Sequence, residues 1–135
     1  RGWYCYEQDG RVGTPDPEVA TIIDQCAREA GIESRDIGRD EVIERTLYSL
    51  ANEGARILSE GHATRASDID IIYLNGYGFP SHLGGPMWYA DRVGLDQVLR
   101  RIRDFERIHG ASWTPAPLLE ELVASGQSFS DWTGR

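Results

Sequence analysis

Apolar positions recur at three- and four-residue intervals over most of the chain, the period of one helix face. Val19, Ile22, Ile23, Cys26 and Ala30 form the first such series. Asp16, Pro17 and Glu18 ahead of it supply a cap, a first-turn proline and an acid at the positive end of the helix dipole, and Gly31 ends it. Asp40 is placed to cap a second, longer helix. Its stripe Ile43, Leu47, Leu50, Gly54, Ile57 and Leu58 faces one way, and Glu41, Arg45, Asn52, Arg56 and Glu60 face the other, until Gly61 stops it. Glu41 with Arg45 and Arg56 with Glu60 are opposite charges four apart, worth roughly a few tenths of a kcal/mol each. A third helix begins at Ser67, with Ile69, Ile72, Tyr73 and Tyr77 on its buried side. Residues 75–86 then hold four glycines and two prolines in twelve positions, too dense for a helix and too aromatic for a flexible linker, so an ordered, packed corner is expected. Short helices follow over 87–93, over 95–108 with Val98, Leu99, Ile102, Phe105 and Ile108 apolar, and over 115–123 with Leu118, Leu119 and Leu122. The tail from Gly126 is read as irregular, and neither a strand pair nor an internal repeat is predicted. The pattern therefore describes an all-α domain of five to six helices over residues 16–135, preceded by an aromatic arm or linker over 1–15.

Composition narrows the class. The 135 residues, 40% hydrophobic and 27% charged, suffice for one globular domain with its own core. Fourteen basic against 22 acidic residues give a net charge of −8, and every cation is an arginine. Such a field repels a phosphate backbone, so no nucleic-acid partner is expected. The densest basic group, Arg100, Arg101, Arg103 and Arg107, is interleaved with Asp104 and Glu106. Cys5 and Cys26 are too few for a zinc set or a disulfide framework and fit a reducing compartment. No apolar run approaches the roughly 20 residues that cross a bilayer, and no signal-peptide order is present, so a soluble, intracellular protein without a membrane partner is expected. The first residue is Arg1, which suggests a piece of a longer chain.

Candidate chemistry is sparse. The glycine-rich segment 76–86 lacks the Lys-Ser/Thr of a phosphate-binding loop and has no strand running into it, so a close-packed helix corner is the better reading. His62, His82 and His109 stand at no metal-ligand spacing, and only His82, inside that segment, is a candidate functional group. No nucleophile elbow is present, and Cys26 reads as core. Asp68 and Asp70 occupy alternate helix positions that point apart, which disfavours a paired acid and base; Asp68 is better explained as a first-turn acid. Trp3, Tyr4 and Tyr6 suit an arm laid over a neighbouring surface. Catalytic, cofactor-binding and metal-binding residues are all expected to be absent.

A long ordered series nevertheless resembles one family. ERTLYSLANEGARIL at 44–58, EGHA at 60–63, ASDID at 66–70, GYGFP at 76–80, GGPMWYADRVGL at 84–95 and WTPAPLL at 113–119 are similar to the C-terminal helical domain of the 3-hydroxyacyl-CoA dehydrogenases. The core of the likeness spans 41–125. It is greatest to the second repeat of that domain in multifunctional β-oxidation enzymes of the peroxisomal bifunctional type. GWYCY at 2–6 is similar to the segment that closes the preceding repeat.

The resemblance implies a parent enzyme that oxidises 3-hydroxyacyl-CoA to 3-oxoacyl-CoA with NAD, fused to an enoyl-CoA hydratase. In the family a His-Glu pair on the Rossmann domain is the base, a Ser helps hold substrate, and the Asn of an Asn-Arg pair on the long helix of the first repeat completes the site. Here that pair is Glu44-Arg45. The departure implies a second repeat that acts as structural partner of the first around a pseudo-two-fold, contacting that repeat and the Rossmann domain of its own parent chain. NAD and acyl-CoA would then bind elsewhere in the parent. A homodimer of the isolated domain fits the same role. The alternative is a module that contacts acyl-CoA through the Arg100 to Arg107 cluster. Bacterial cytoplasm is the expected location, or the peroxisome in a eukaryote. Gly54 is expected to allow close approach to the sister repeat, so Gly54→Leu should weaken docking, and Gly85→Val should destabilise the corner.

Overall fold

The computed structural model describes residues 2–6, 10, 12–33 and 35–134, and it divides into two compact units, 1–37 and 38–135. In the first unit, β1 (Tyr4–Cys5) pairs antiparallel with β2 (Thr14–Pro15), a short ladder that the sequence pattern did not reveal. The helix α1 (Pro17–Glu29) is started by Asp16, whose carboxylate accepts the Glu18 N–H at 3.0 Å. It ends in a Schellman motif, with the Ile32 N–H on the Ala27 carbonyl and Gly31 at φ 66°. Every α1 side chain remains at least partly exposed, Cys26 included, so the expectation that Cys26 is core was wrong. The first unit holds both the aromatic arm and α1.

The second unit is all helical: α2 (Arg39–Ser59), α3 (Ala66–Gly76), α4 (Pro86–Val93), α5 (Leu95–His109) and α6 (Pro117–Ser125), with a 3-10 turn between α3 and α4, another between α5 and α6, and a third after α6. The N-cap of α2 is Gly38, which leaves Asp40 and Glu41 as first-turn acids; Asp40 does not cap. At its other end Gly61, at φ 77°, closes a Schellman motif in which the His62 N–H reaches the Ile57 carbonyl.

The buried face of α2 is rotated from the predicted stripe. Tyr48, Ala51, Asn52, Gly54, Ala55 and Leu58 are buried, whereas Ile43, Leu47, Leu50 and Ile57 are only half-buried. Close approach of neighbours, rather than side-chain size, selects the face. A Cβ on Gly54 would stand 2.3 Å from the Met87 sulfur of α4, closer than any packed pair of atoms tolerates. The glycine therefore serves contact between α2 and α4 inside this unit, and its assignment to the docking surface is corrected.

The core lies where α2 meets α4, α5 and α6, with Leu58, Met87, Val98, Ile102, Phe105 and Leu119 fully buried. Ile69 of α3 joins it, but Ile72 and Tyr77 face outwards, contrary to expectation, and so does Ile108. The last helix begins at Pro117, and the tail is less irregular than predicted: Phe129 opens a 3-10 turn, Phe129–Asp131, and is itself buried.

Candidate functional site

Three polar side chains pin helices to one another across the second unit. Asp70, on α3, has 8% of its surface exposed, and its carboxylate accepts the Met87 N–H at 2.8 Å and the Trp88 N–H at 3.1 Å. These are donors that the start of α4 leaves without helical partners, so α4 takes its cap from another helix. Asp91, on α4, accepts the N–H groups of Phe129 and Ser130 at 2.8 and 3.0 Å and the Ser130 hydroxyl at 2.6 Å, fixing the tail turn. Asn52, predicted on the outer face of α2, is buried; its amide donates to the Thr114 carbonyl at 3.0 Å and accepts the Ala116 N–H at 2.8 Å. Sequence spacing shows none of these, because each joins residues that lie far apart in the chain.

The glycine-rich corner is built around the first pin. Gly85 adopts φ 105° and ψ 164°, a region open essentially to glycine alone, and a Cβ there would lie 2.3 Å from an Asp70 oxygen. Asp68 and Asp70 do point apart. Asp68 faces Arg65 at the α3 N-terminus, and that guanidinium holds its carboxyl below the ordinary carboxylate range. Burial pushes the Asp70 carboxyl up, the two N–H donors pull it down, and the charge of Asp91 adds to the rise.

The arginine cluster of α5 is compensated by acids. Arg101 grips one Glu44 oxygen with Nε at 2.9 Å and Nη2 at 2.5 Å and lies over the Phe105 ring at 4.8 Å. Arg103 pairs with Glu120 at 2.7 Å, Arg100 with Asp96 at 3.3 Å, and Arg107 with Asp104. Arg100, Arg103 and Arg107 edge an open groove that also contains Thr114 and Pro115. On α2, Arg45 pairs with Glu41 as expected at 2.8 Å, but Arg56 pairs with Glu53 at 3.0 Å rather than with Glu60. Arg45 also approaches the His109 Nε2 at 2.6 Å; a guanidinium only donates, so that nitrogen accepts. His62 lies beside Glu60 and His82 is exposed in the turn Ser81–Leu83, so the three histidines stay apart. Among the described residues, no group of three or more His, Cys, Asp or Glu side chains could hold a metal ion. No described helix is long and apolar enough to cross a membrane.

The family model of the 3-hydroxyacyl-CoA dehydrogenase C-terminal domain matches residues 42–130, which is the second unit almost entire. The chain belongs to that family. The dehydrogenase C-terminal domain has relatives among multifunctional enzymes. A peroxisomal bifunctional enzyme of Danio rerio is 47% identical over 132 residues, covering 93% of this chain and 18% of that protein. The peroxisomal bifunctional enzyme of Homo sapiens is 42% identical over 136 residues, 98% of this chain and 19% of the relative. A peroxisomal fatty acid beta-oxidation multifunctional protein of Arabidopsis thaliana is 33% identical, over 97% of this chain and 19% of its own length. This chain thus spans less than a fifth of the curated relatives it matches. The all-helical second unit agrees with the fold expected of the family.

Proposed function

We propose that this dehydrogenase C-terminal domain is the second, non-catalytic helical repeat of a multifunctional β-oxidation enzyme, serving as structural partner to a catalytic repeat. The observation that carries this reading is the fate of Glu44. It stands where the resemblance implies an asparagine in the working repeat, and its carboxylate is engaged by Arg101. An anion held there neither donates a hydrogen bond to a substrate carbonyl nor stabilises negative charge developing on it. The parent oxidises 3-hydroxyacyl-CoA with NAD bound to a Rossmann domain elsewhere in the chain, and an enoyl-CoA hydratase region completes it. The names of the relatives favour a peroxisomal location over bacterial cytoplasm.

The alternative, an acyl-CoA-contacting module, needs cations available to the CoA phosphates. Each arginine in the α5 cluster already faces a carboxylate, so phosphate would have to compete with an existing ion pair. Calorimetric titration of the chain with a 3-hydroxyacyl-CoA, and separately with NAD, decides between these readings. No heat from either at tens of micromolar protein is expected. Saturable acyl-CoA binding would favour the alternative, and saturable NAD binding would overturn both.

A further inference from the structure

The first unit has a well-marked helix and no core. Its helix is capped at both ends, yet α1 buries none of its side chains, and every buried apolar residue among those described lies at or beyond Tyr48. More than half of the exposed large hydrophobic side chains fall within the first 37 residues. They include one organised surface. Trp3, Val19, Ile22 and Ile23 line a groove beside the α1 N-terminus, where the Asp16 N–H donates to the Trp3 carbonyl at 3.3 Å. Trp3 is 67% exposed, Ile22 53% and Ile23 48%. An isolated helix of 13 residues is marginal in water, and its stability comes from burying an apolar face. This unit is therefore written to fold against something.

The extents of the matches indicate what that is. The family model starts at residue 42, after this unit, whereas the multifunctional relatives match over 93–98% of the chain and so include it. The unit thus accompanies the domain in large polypeptides. Each relative is about five times longer than the match, and a C-terminal domain is preceded by the rest of its dehydrogenase, so parent chain N-terminal to this stretch is available to cover the unit.

We infer that the apolar face of α1, with Trp3, is a docking surface for the portion of the parent polypeptide N-terminal to this stretch, and that this cover is what makes α1 stable. The inference rests on the function proposed above. Hydrogen exchange followed by mass spectrometry, on this chain alone and on the full-length parent, tests it. In the chain alone, α1 amides should exchange quickly while α5 amides are protected; in the parent, α1 should slow by about tenfold or more. Ile22→Asp with Ile23→Asp should abolish that gain in the parent while leaving α5 unchanged. Protection of α1 in the chain alone would overturn the inference, since cover would then come from the chain itself. So would an α1 that stays fast in the parent, or protection that survives both aspartates. A parent that oxidises 3-hydroxyacyl-CoA but leaves α1 unprotected defeats only this inference; a parent without that activity defeats the proposed function.

Discussion

At the scale of single residues, Asp70 and Gly85 form one device. The carboxylate reaches the α4 amides because no side chain stands at residue 85. Gly85→Val should cost about 1–3 kcal/mol in backbone strain alone, with displacement of Asp70 added, and thermal melting should fall by about 5 °C or more. A melting temperature within about one degree of wild type would contradict the shared geometry. Asp70→Asn keeps one acceptor but turns an NH2 group towards the second N–H, a loss of about 1–3 kcal/mol. Its pH dependence carries a sign. Because burial holds the Asp70 carboxyl above its unfolded value, its titration adds stability as pH falls through the raised value, and the gain is complete below about 4. Asp68, Asp104 and Asp131, held low chiefly by Arg65, Arg107 and the Ser128 hydroxyl, act the other way: their contribution is present above about 4 and is lost below it. Melting temperature should therefore hold or rise slightly from neutrality towards mild acid and then drop. Asp70→Asn should remove the rise and retain the drop; a rise of unchanged size in the variant would show that another group is responsible.

At the scale of elements, helix existence was largely legible and helix orientation was not. Pro17, Gly31, Gly61 and Gly110 mark starts and stops by local rules, and the structure follows them. Which face turns inward depends on partners: Gly54 admits Met87 of α4 closely, and Ala51 and Ala55 are buried beside it while Leu47 and Leu50 are only half-buried. Asn52 and Asp91 carried no sequence signal, since their roles exist only after α2 and α4 meet the loop before α6 and the tail turn. The contact between Gly54 and Met87 can be tested as a coupled pair. Gly54→Ala gains about 1 kcal/mol of helix propensity yet should destabilise the fold, because the new methyl overlaps the Met87 sulfur. In a Met87→Ala background that obstacle is gone, so the same change should cost less or become favourable. Purely additive unfolding energies across the four variants would remove the close approach as the explanation.

At the scale of the whole molecule, the second unit exposes an unusual face. The α3 helix is turned so that an aspartate is buried while Ile71 and Ile72, 54% and 57% exposed, point outwards with Tyr77 at its end. Asp70 holds this rotation together with Ala66, Ile69 and Tyr73, which pack inward on the same face while its carboxylate serves Met87 and Trp88 of α4. The family resemblance suggested a structural partner domain, and the periodicity of α3 did not reveal the face, since it assigned Ile72 to the core. An apolar surface held outwards in this way suits the packing role proposed above. Replacing Ile71 and Ile72 by aspartate removes no core contact, so the melting temperature of the chain alone should fall by no more than about 5 °C. The same pair should weaken association with the separately produced remainder of the parent by roughly tenfold or more, because each charge would be buried unpaired at the contact. The comparison is read against Gly54→Ala, which damages the fold but leaves this face intact. If the aspartates lower stability and spare association, α3 serves the domain's own core and docking is left to the α1 face; if they spare stability and weaken association, the outward face of α3 is a second contact beside that of α1.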